Sequence, residues 1–274
     1  MDCRYINLDA AAERRAALEG NFQAHKAEGW TLNRFAAIDV AYVQAHDVAG
    51  SITPAEKACF LSHREVLRAS LDREGPLCVL EDDAAFGAKT CGVIDQFLQG
   101  GNAGLEWDIL FTDVCVTQLS AMLDLVKMRR RLAAKNKVSL LDLAKIPFAG
   151  AAAYIVNPQS KRRVCELLDA GDCLDLQYDL YLRQLIYASK LKAYVFFPFI
   201  TTLSALADAS QIQNDDGKMT DRVWILFRQM VWNERALEQH EIELDEIHEQ
   251  FCDDESRAFG KLWGALADAR FKDK

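Results

Sequence analysis

Apolar and polar positions along the chain switch repeatedly between a strand period and a helix period. A short apolar run at residues 5–8 predicts a strand. The Ala/Arg/Glu-rich stretch 10–27 that follows carries Leu18 and Phe22 four apart, the spacing of one helix face. Residues 31–36 predict a second strand and 39–51 a loop. Thr53-Pro54-Ala55-Glu56 then supplies a capping hydroxyl, a first-turn proline and a first-turn acid, so a helix over 54–71 is expected. After Gly75-Pro76, the four apolar residues 77–80 predict a buried strand that runs straight into Glu81-Asp82-Asp83. Residues 107–113 repeat that pattern, an apolar strand with a polar tip. Beyond it, the small-residue segment 148–156 reads as a glycine-containing loop feeding a strand. Helices are expected over 160–169 and 178–189, and a strand over 193–197. Strands alternating with helices predict an α/β fold with a mostly parallel sheet, whose ligands bind beyond the carboxyl ends of the strands.

Past residue 220 the pattern changes. Val223, Leu226, Phe227, Met230 and Val231 form one apolar stripe of a helix, and residues 238–255 hold nine acids with no Lys or Arg. The chain therefore divides into an expected catalytic domain over 1–215 and a helical appendage over 216–274. Charge narrows the partners: 32 Lys and Arg against 41 Asp and Glu give a net charge of −9, which argues against broad nucleic-acid binding. With 50% apolar and 27% charged residues the composition is that of a globular protein. The first residues show no basic segment followed by an apolar one, so a cytoplasmic protein is expected. The two longest uncharged stretches, 146–160 and 193–207, contain proline and fall short of the ~18 residues that read as a membrane-spanning helix. The eight cysteines include no Cys-x-x-Cys pair and read as free thiols. In this acidic chain, Lys127, Arg129, Arg130, Arg131, Lys135 and Lys137 stand together without an acid. That run reads as a solvated helix face, or as a peripheral contact at the inner face of the membrane through residues 127–137.

Several acid pairs occur, among them Asp82-Asp83, Asp215-Asp216 and Asp253-Asp254, but only the first follows an apolar strand directly. Alternation along a strand puts Glu81 and Asp83 on one side and Asp82 on the other. Carboxylates so placed suit Mg²⁺ or Mn²⁺ bridging to a diphosphate. His63, within Cys59-Phe60-Leu61-Ser62-His63-Arg64-Glu65, is a second candidate. Gly-x-Gly-x-x-Gly, phosphate-loop, His-Glu-x-x-His and nucleophile-elbow patterns are absent from the sequence.

Three segments together resemble glycosyltransferase family 25, which includes bacterial lipooligosaccharide and collagen galactosyltransferases. They are Ile6-Asn7-Leu8-Asp9 with Glu13-Arg14-Arg15, the stretch from Ala55-Glu56 through Ser62-His63 to Leu67, and Cys78-Val79-Leu80-Glu81-Asp82-Asp83-Ala84. The likeness covers about residues 4–115 and continues more weakly through 150–154, 175–182 and 198–212. The resemblance implies a GT-A-type, Rossmann-like fold, a UDP-sugar donor, Mn²⁺ or Mg²⁺, and inverting transfer to a glycan or lipid-linked oligosaccharide. By the same likeness Asp83 and Glu81 would hold the metal. Asn7, Asp9, Arg14, Arg15, Ser62, His63, Glu81 and Asp82 would meet the donor. Asp179 matches a late aspartate motif and is expected as the general base, with Asp175 in reserve. Departures from the family pattern occur at Ala10-Ala11-Ala12, at Ala55-Glu56-Lys57 and at Ser210-Gln211-Ile212. Two other readings stay open, a catalytically silent glycan- or partner-binding module and a metal-dependent phosphohydrolase.

Overall fold

The structure, a computed structural model, describes residues 1–100, 104–171, 173–204, 206, 218–234, 237–268 and 270–271. In chain order the first half comprises β1 (Asp2–Asn7), α1 (Ala12–His25), β2 (Thr31–Ala36), α2 (Val40–Ala45), α3 (Pro54–Arg68), β3 (Leu77–Glu81), β4 (Ala84–Phe86), α4 (Thr90–Leu98), β5 (Ile109–Phe111), β6 (Cys115–Val116) and α5 (Leu119–Ala133). The second comprises β7 (Ser139–Asp142), β8 (Phe148–Ala149), β9 (Ala153–Val156), α6 (Lys161–Asp169), α7 (Tyr178–Tyr187), β10 (Ala193–Phe197), β11 (Thr201–Leu203), α8 (Lys218–Val231), α9 (Leu237–Phe251) and α10 (Asp254–Ala267).

Seven strands form one sheet in the order β2-β1-β3-β9-β5-β10-β7. β2, β1, β3, β5 and β10 run one way, while β9 and β7 run against them. This is the expected α/β class. β9 is reversed because the chain enters it from the carboxyl end of the sheet, Ala153 lying opposite Leu80 at the end of β3. Alternation within the strands feeds two cores. Tyr5, Leu80, Leu110 and Ile155 meet Leu18 and Phe22 of α1 and Ile94 of α4 on one face. Ile6, Val79, Ile109 and Tyr154 meet Leu67, Val164 and Leu182 of α3, α6 and α7 on the other. Central strands buried on both faces explain their unbroken apolar runs.

The start of α3 carries a reciprocal cap. Glu56 N–H donates to Thr53 Oγ1 at 3.3 Å, and Thr53 N–H donates to Glu56 Oε2 at 2.8 Å. Residues 39–51, expected as a loop, contain α2, whose first turn is capped by Asp39 accepting from Tyr42 N–H at 2.8 Å. At the carboxyl end of the sheet, β11 pairs with β4 and β6 with β8. α8 packs over β6 and β11, α9 against α8, and α10 against α5. All eight cysteines are free, and no helix among the described residues is long and apolar enough to cross a membrane.

The basic run does not face solvent as a unit. Arg129 is buried and donates from Nη2 to Trp232 O at 2.9 Å, whereas Arg130, Arg131, Lys135 and Lys137 are exposed. Of the other acid pairs, Asp253 caps α10 by accepting from Ser256 N–H, and Asp215-Asp216 lies outside the described residues, as does Ser210-Gln211-Ile212.

Candidate functional site

Two cavities, of about 560 and 410 Å³, open at the carboxyl ends of the strands and share Cys59, Glu81 and Asp83 as a common wall. The larger is bounded by the end of β1, the chain around Ile38–Ala41, one face of α3 and the acidic turn after β3. Asn7, the last residue of β1, is buried; its Nδ2 donates to Ala11 O at 3.0 Å and to Asp82 Oδ2 at 2.7 Å. Arg34 of β2 donates from Nε to Asn7 Oδ1 at 3.0 Å and pairs with Asp9 at the exposed rim.

Arg14 lies in the first turn of α1, where its side chain reaches the acidic turn. Nε contacts Asp82 Oδ1 and Nη2 contacts Asp83 Oδ2, each at 2.7 Å. One guanidinium thus holds both aspartates. Arg15, one residue further round the helix, lines neither cavity. The strand alternation ends at Glu81, because the chain turns at Asp82-Asp83, so the two aspartates meet the same arginine rather than opposite sides.

Ser62 and His63 occupy buried positions on α3. Ser62 Oγ donates to Ala58 O at 2.7 Å and accepts from Ile38 N–H at 2.9 Å, so it fixes the wall of the larger cavity. His63 lies flat on Tyr178, with ring centroids 4.1 Å apart and planes 5° from parallel. Its Nδ1 is 3.0 Å from Tyr154 Oη and its Nε2 3.2 Å from Glu81 Oε1.

Oxygens of the three acids differ in occupation. Both Asp82 oxygens are taken, by Asn7 and Arg14. Asp83 Oδ1 is buried without a hydrogen-bond partner. Burial, then the charge of Glu81, pushes the Asp83 carboxyl up to about 7, against the opposing pull of Arg14. Burial also disfavours the Glu81 charge, but the His63 hydrogen bond together with Arg228 and Arg14 outweighs it and holds that carboxyl below its usual range. An unpartnered buried carboxylate oxygen beside a second carboxylate fits a hard divalent cation, so Asp83 and Glu81 can hold one, whereas Asp82 serves to position the turn.

The smaller cavity lies between the Gly150 loop, the start of α7 and one face of α8. Gly150 has φ +82°, a left-handed conformation suited to glycine. Its N–H donates to Asp179 Oδ2 at 2.6 Å. Asp179 therefore lines this cavity on the far side of the shared wall. Asp175 does not join it: exposed, it accepts from Ser51 N–H at 2.8 Å and lines neither cavity.

The sequence predicts the helix that is α8 but assigns it to an appendage and misses its part in the site, where it places Asp221, Trp224, Ile225 and Arg228 along the smaller cavity. Their spacing of three, four and seven residues was a legible second face of that helix. Arg228 is buried against Asp113, Nε donating to Asp113 Oδ2 at 3.1 Å, and Thr201 Oγ1 donates to Asp113 Oδ1 at the same distance. Glu56, the α3 capping acid, also lines this cavity and accepts from Gln177 Nε2 at 2.8 Å.

Residues 3–181 match the family described as Glycosyltransferase family 25 (LPS biosynthesis protein), from β1 into the first turn of α7. No curated protein matches the chain in sequence. Among solved structures, the apo bifunctional glycosyltransferase WbbM aligns at 12% identity and a TM-score of 0.39, over 68% of this chain and 37% of that one. Mouse xyloside xylosyltransferase 1, in its apo form, aligns at 11% identity and a TM-score of 0.32, over 70% of this chain and 63% of that one. The chain thus spans less than two thirds of either.

Proposed function

The chain belongs to glycosyltransferase family 25, and from that premise we propose that it transfers a hexose, galactose or glucose, from a UDP-sugar to a hydroxyl of an oligosaccharide such as lipooligosaccharide. Inversion, a GT-A-type fold and dependence on Mn²⁺ or Mg²⁺ belong to the same proposal. The observation that carries it is the pair of adjoining cavities whose shared wall contains Glu81 and Asp83, the latter with Oδ1 buried and unpartnered. The larger cavity would take the nucleotide and the smaller the acceptor.

A bound divalent cation would supply positive charge to the departing diphosphate, held by Asp83 and Glu81. Arg14 and Asn7 keep the acidic turn in place, and Arg34 keeps Asn7 in place. Across the wall, Asp179 is oriented by Gly150 N–H to accept the proton of the attacking hydroxyl.

Titration of UDP into the protein with Mn²⁺ or with chelator tests this reading. The Asp83→Asn variant is expected to lose the metal-dependent part of UDP affinity, and UDP binding equally well in chelator would overturn the metal assignment. The same variant carries a pH signature. A carboxyl raised from 3.8 to about 7 in the folded protein binds a proton more readily there than in the unfolded chain, so its contribution to stability falls as pH rises between those values. Asp83→Asn should flatten that slope in metal-free unfolding measurements.

The membrane contact is proposed for the exposed Arg130, Arg131 and Lys135, at the end of the helix α5 against which α10 packs; α10 itself exposes Phe259, Leu262 and Trp263. Each basic residue near an anionic surface contributes about 1 kcal/mol, so replacing the three by Gln should weaken vesicle binding by about a hundredfold. Unchanged co-sedimentation with anionic vesicles would remove the proposal. Arg129, committed to Trp232 O, is left out of that variant.

A further inference from the structure

A second donor set stands at the junction of the two cavities, and it differs in kind from the carboxylate pair. Cys59 and His63 are four apart on α3 and so share one face of the helix. That face meets the tip of β3, where Glu81 ends the strand. One ligand atom from each of Cys59, His63 and Glu81 lies within 4.8 Å of the other two. Tetrahedral ligands around zinc stand about 3.6 Å apart, given bond lengths of about 2.0 to 2.3 Å. A closing movement of about 1 Å therefore suffices.

The surroundings favour binding by that set. Contact between His63 Nδ1 and Tyr154 Oη at 3.0 Å, continued to Tyr178 Oη at 2.8 Å, fixes the ring and leaves Nε2 directed at Glu81. Such a partner on the far nitrogen is what orients metal-binding imidazoles. Cys59 and Glu81 line both cavities and His63 the larger, so an ion can enter and further coordination positions can be filled from either side. A thiolate, an imidazole and a carboxylate select zinc-type cations, whereas Mg²⁺ and Mn²⁺ prefer oxygen donors throughout.

We infer that Cys59 Sγ, His63 Nε2 and a Glu81 carboxylate oxygen form a binding site for a thiophilic divalent cation of the zinc type. Because Glu81 cannot serve two ions in two places, occupancy takes it from Asp83 and makes zinc an antagonist of metal-dependent donor binding. That antagonism rests on the donor reading above; the binding itself does not.

Co²⁺ added to the full chain reports the site directly, since a cobalt–thiolate bond absorbs in the near ultraviolet. The expected result is one such band per chain, abolished by one equivalent of Zn²⁺ and lost in Cys59→Ser. In the unaltered protein, Zn²⁺ but not Mg²⁺ should protect Cys59 from alkylation, read by peptide mass, which covers the case in which the variant fails to fold. A band that survives in Cys59→Ser, or the absence of both band and protection, overturns the site. Asp83→Asn should keep the cobalt band while losing metal-dependent UDP affinity, so failure of this inference and failure of the donor reading give different results.

Discussion

Asp179→Asn is expected to slow sugar transfer by about 10² to 10⁴, the usual cost of removing a general base, with UDP-sugar affinity unchanged. An aspartate near a helix start could instead serve only as a cap. Here the residue preceding α7 is Gln177, and no side chain caps that end. The Asp179 carboxylate reaches across the cavity to Gly150 N–H. Its structural alternative is therefore a staple for the Gly150 loop, and two substitutions separate the roles. Asparagine keeps an oxygen for Gly150 N–H, so it should lose rate with little loss of stability. Alanine leaves that N–H without its partner, so it should lose rate and also about 1 to 3 kcal/mol of stability if the group stays buried. Near-normal turnover in Asp179→Asn would make the residue a staple. The search for the base would then pass to Asp221, which also lines the smaller cavity and whose carboxyl burial pushes upward.

The parts of the fold legible in sequence are those with a complete local signal. Thr53-Pro54-Ala55-Glu56 contains its own cap, and α3 begins where that cap dictates. The run 77–80 is apolar because β3 is buried on both faces there, and the acids follow from Glu81 because the strand ends in a cavity. Direction was less legible. Nothing local to Ala153–Val156 records that the chain arrives from the carboxyl end, so a strand that reads like its neighbours runs against them. The edge strand β7 (Ser139–Asp142) is only half buried, and its weak apolar signal follows a basic run that masks it.

Within the site, types of residue were legible and their partners were not. An acidic strand tip announces itself, yet only folding shows that Arg14 rather than Arg15 reaches it, since the two are adjacent and face different ways on α1. Ser62 belongs to a recognisable Ser-His pair, but both of its hydrogen bonds go to backbone. Asp175 and Asp179 are the same residue type, four positions apart in sequence. The first falls before the helix and holds Ser51, while the second falls inside it and faces the cavity. Proximity between distant segments decides each case.

Arg228→Met is expected to destabilise the protein by about 3 to 5 kcal/mol, the cost of leaving one half of a buried ion pair without the other. Arg228 and Asp113 have side-chain exposures of 7% and 1%, so little solvent can take over from the lost guanidinium. Thr201 still donates to Asp113, but one hydroxyl cannot balance a buried carboxylate charge. Buried ion pairs often contribute little net stability against an apolar replacement of both partners. The double variant Asp113→Leu with Arg228→Met should consequently recover part of the loss, where two independent contacts would add their losses. Urea unfolding followed by far-ultraviolet dichroism reads all three proteins on one scale. A single Arg228→Met variant within about 1 kcal/mol of wild type would mean that α8 is held by its apolar face alone, through Leu226 and Val231, which are buried. The substitution also reaches the proposed chemistry. Arg228 opposes the upward shift of the Asp83 carboxyl, so its loss should raise that carboxyl further and shift metal-dependent UDP binding to higher pH. An α8 that serves only as packing would leave that pH profile where it was.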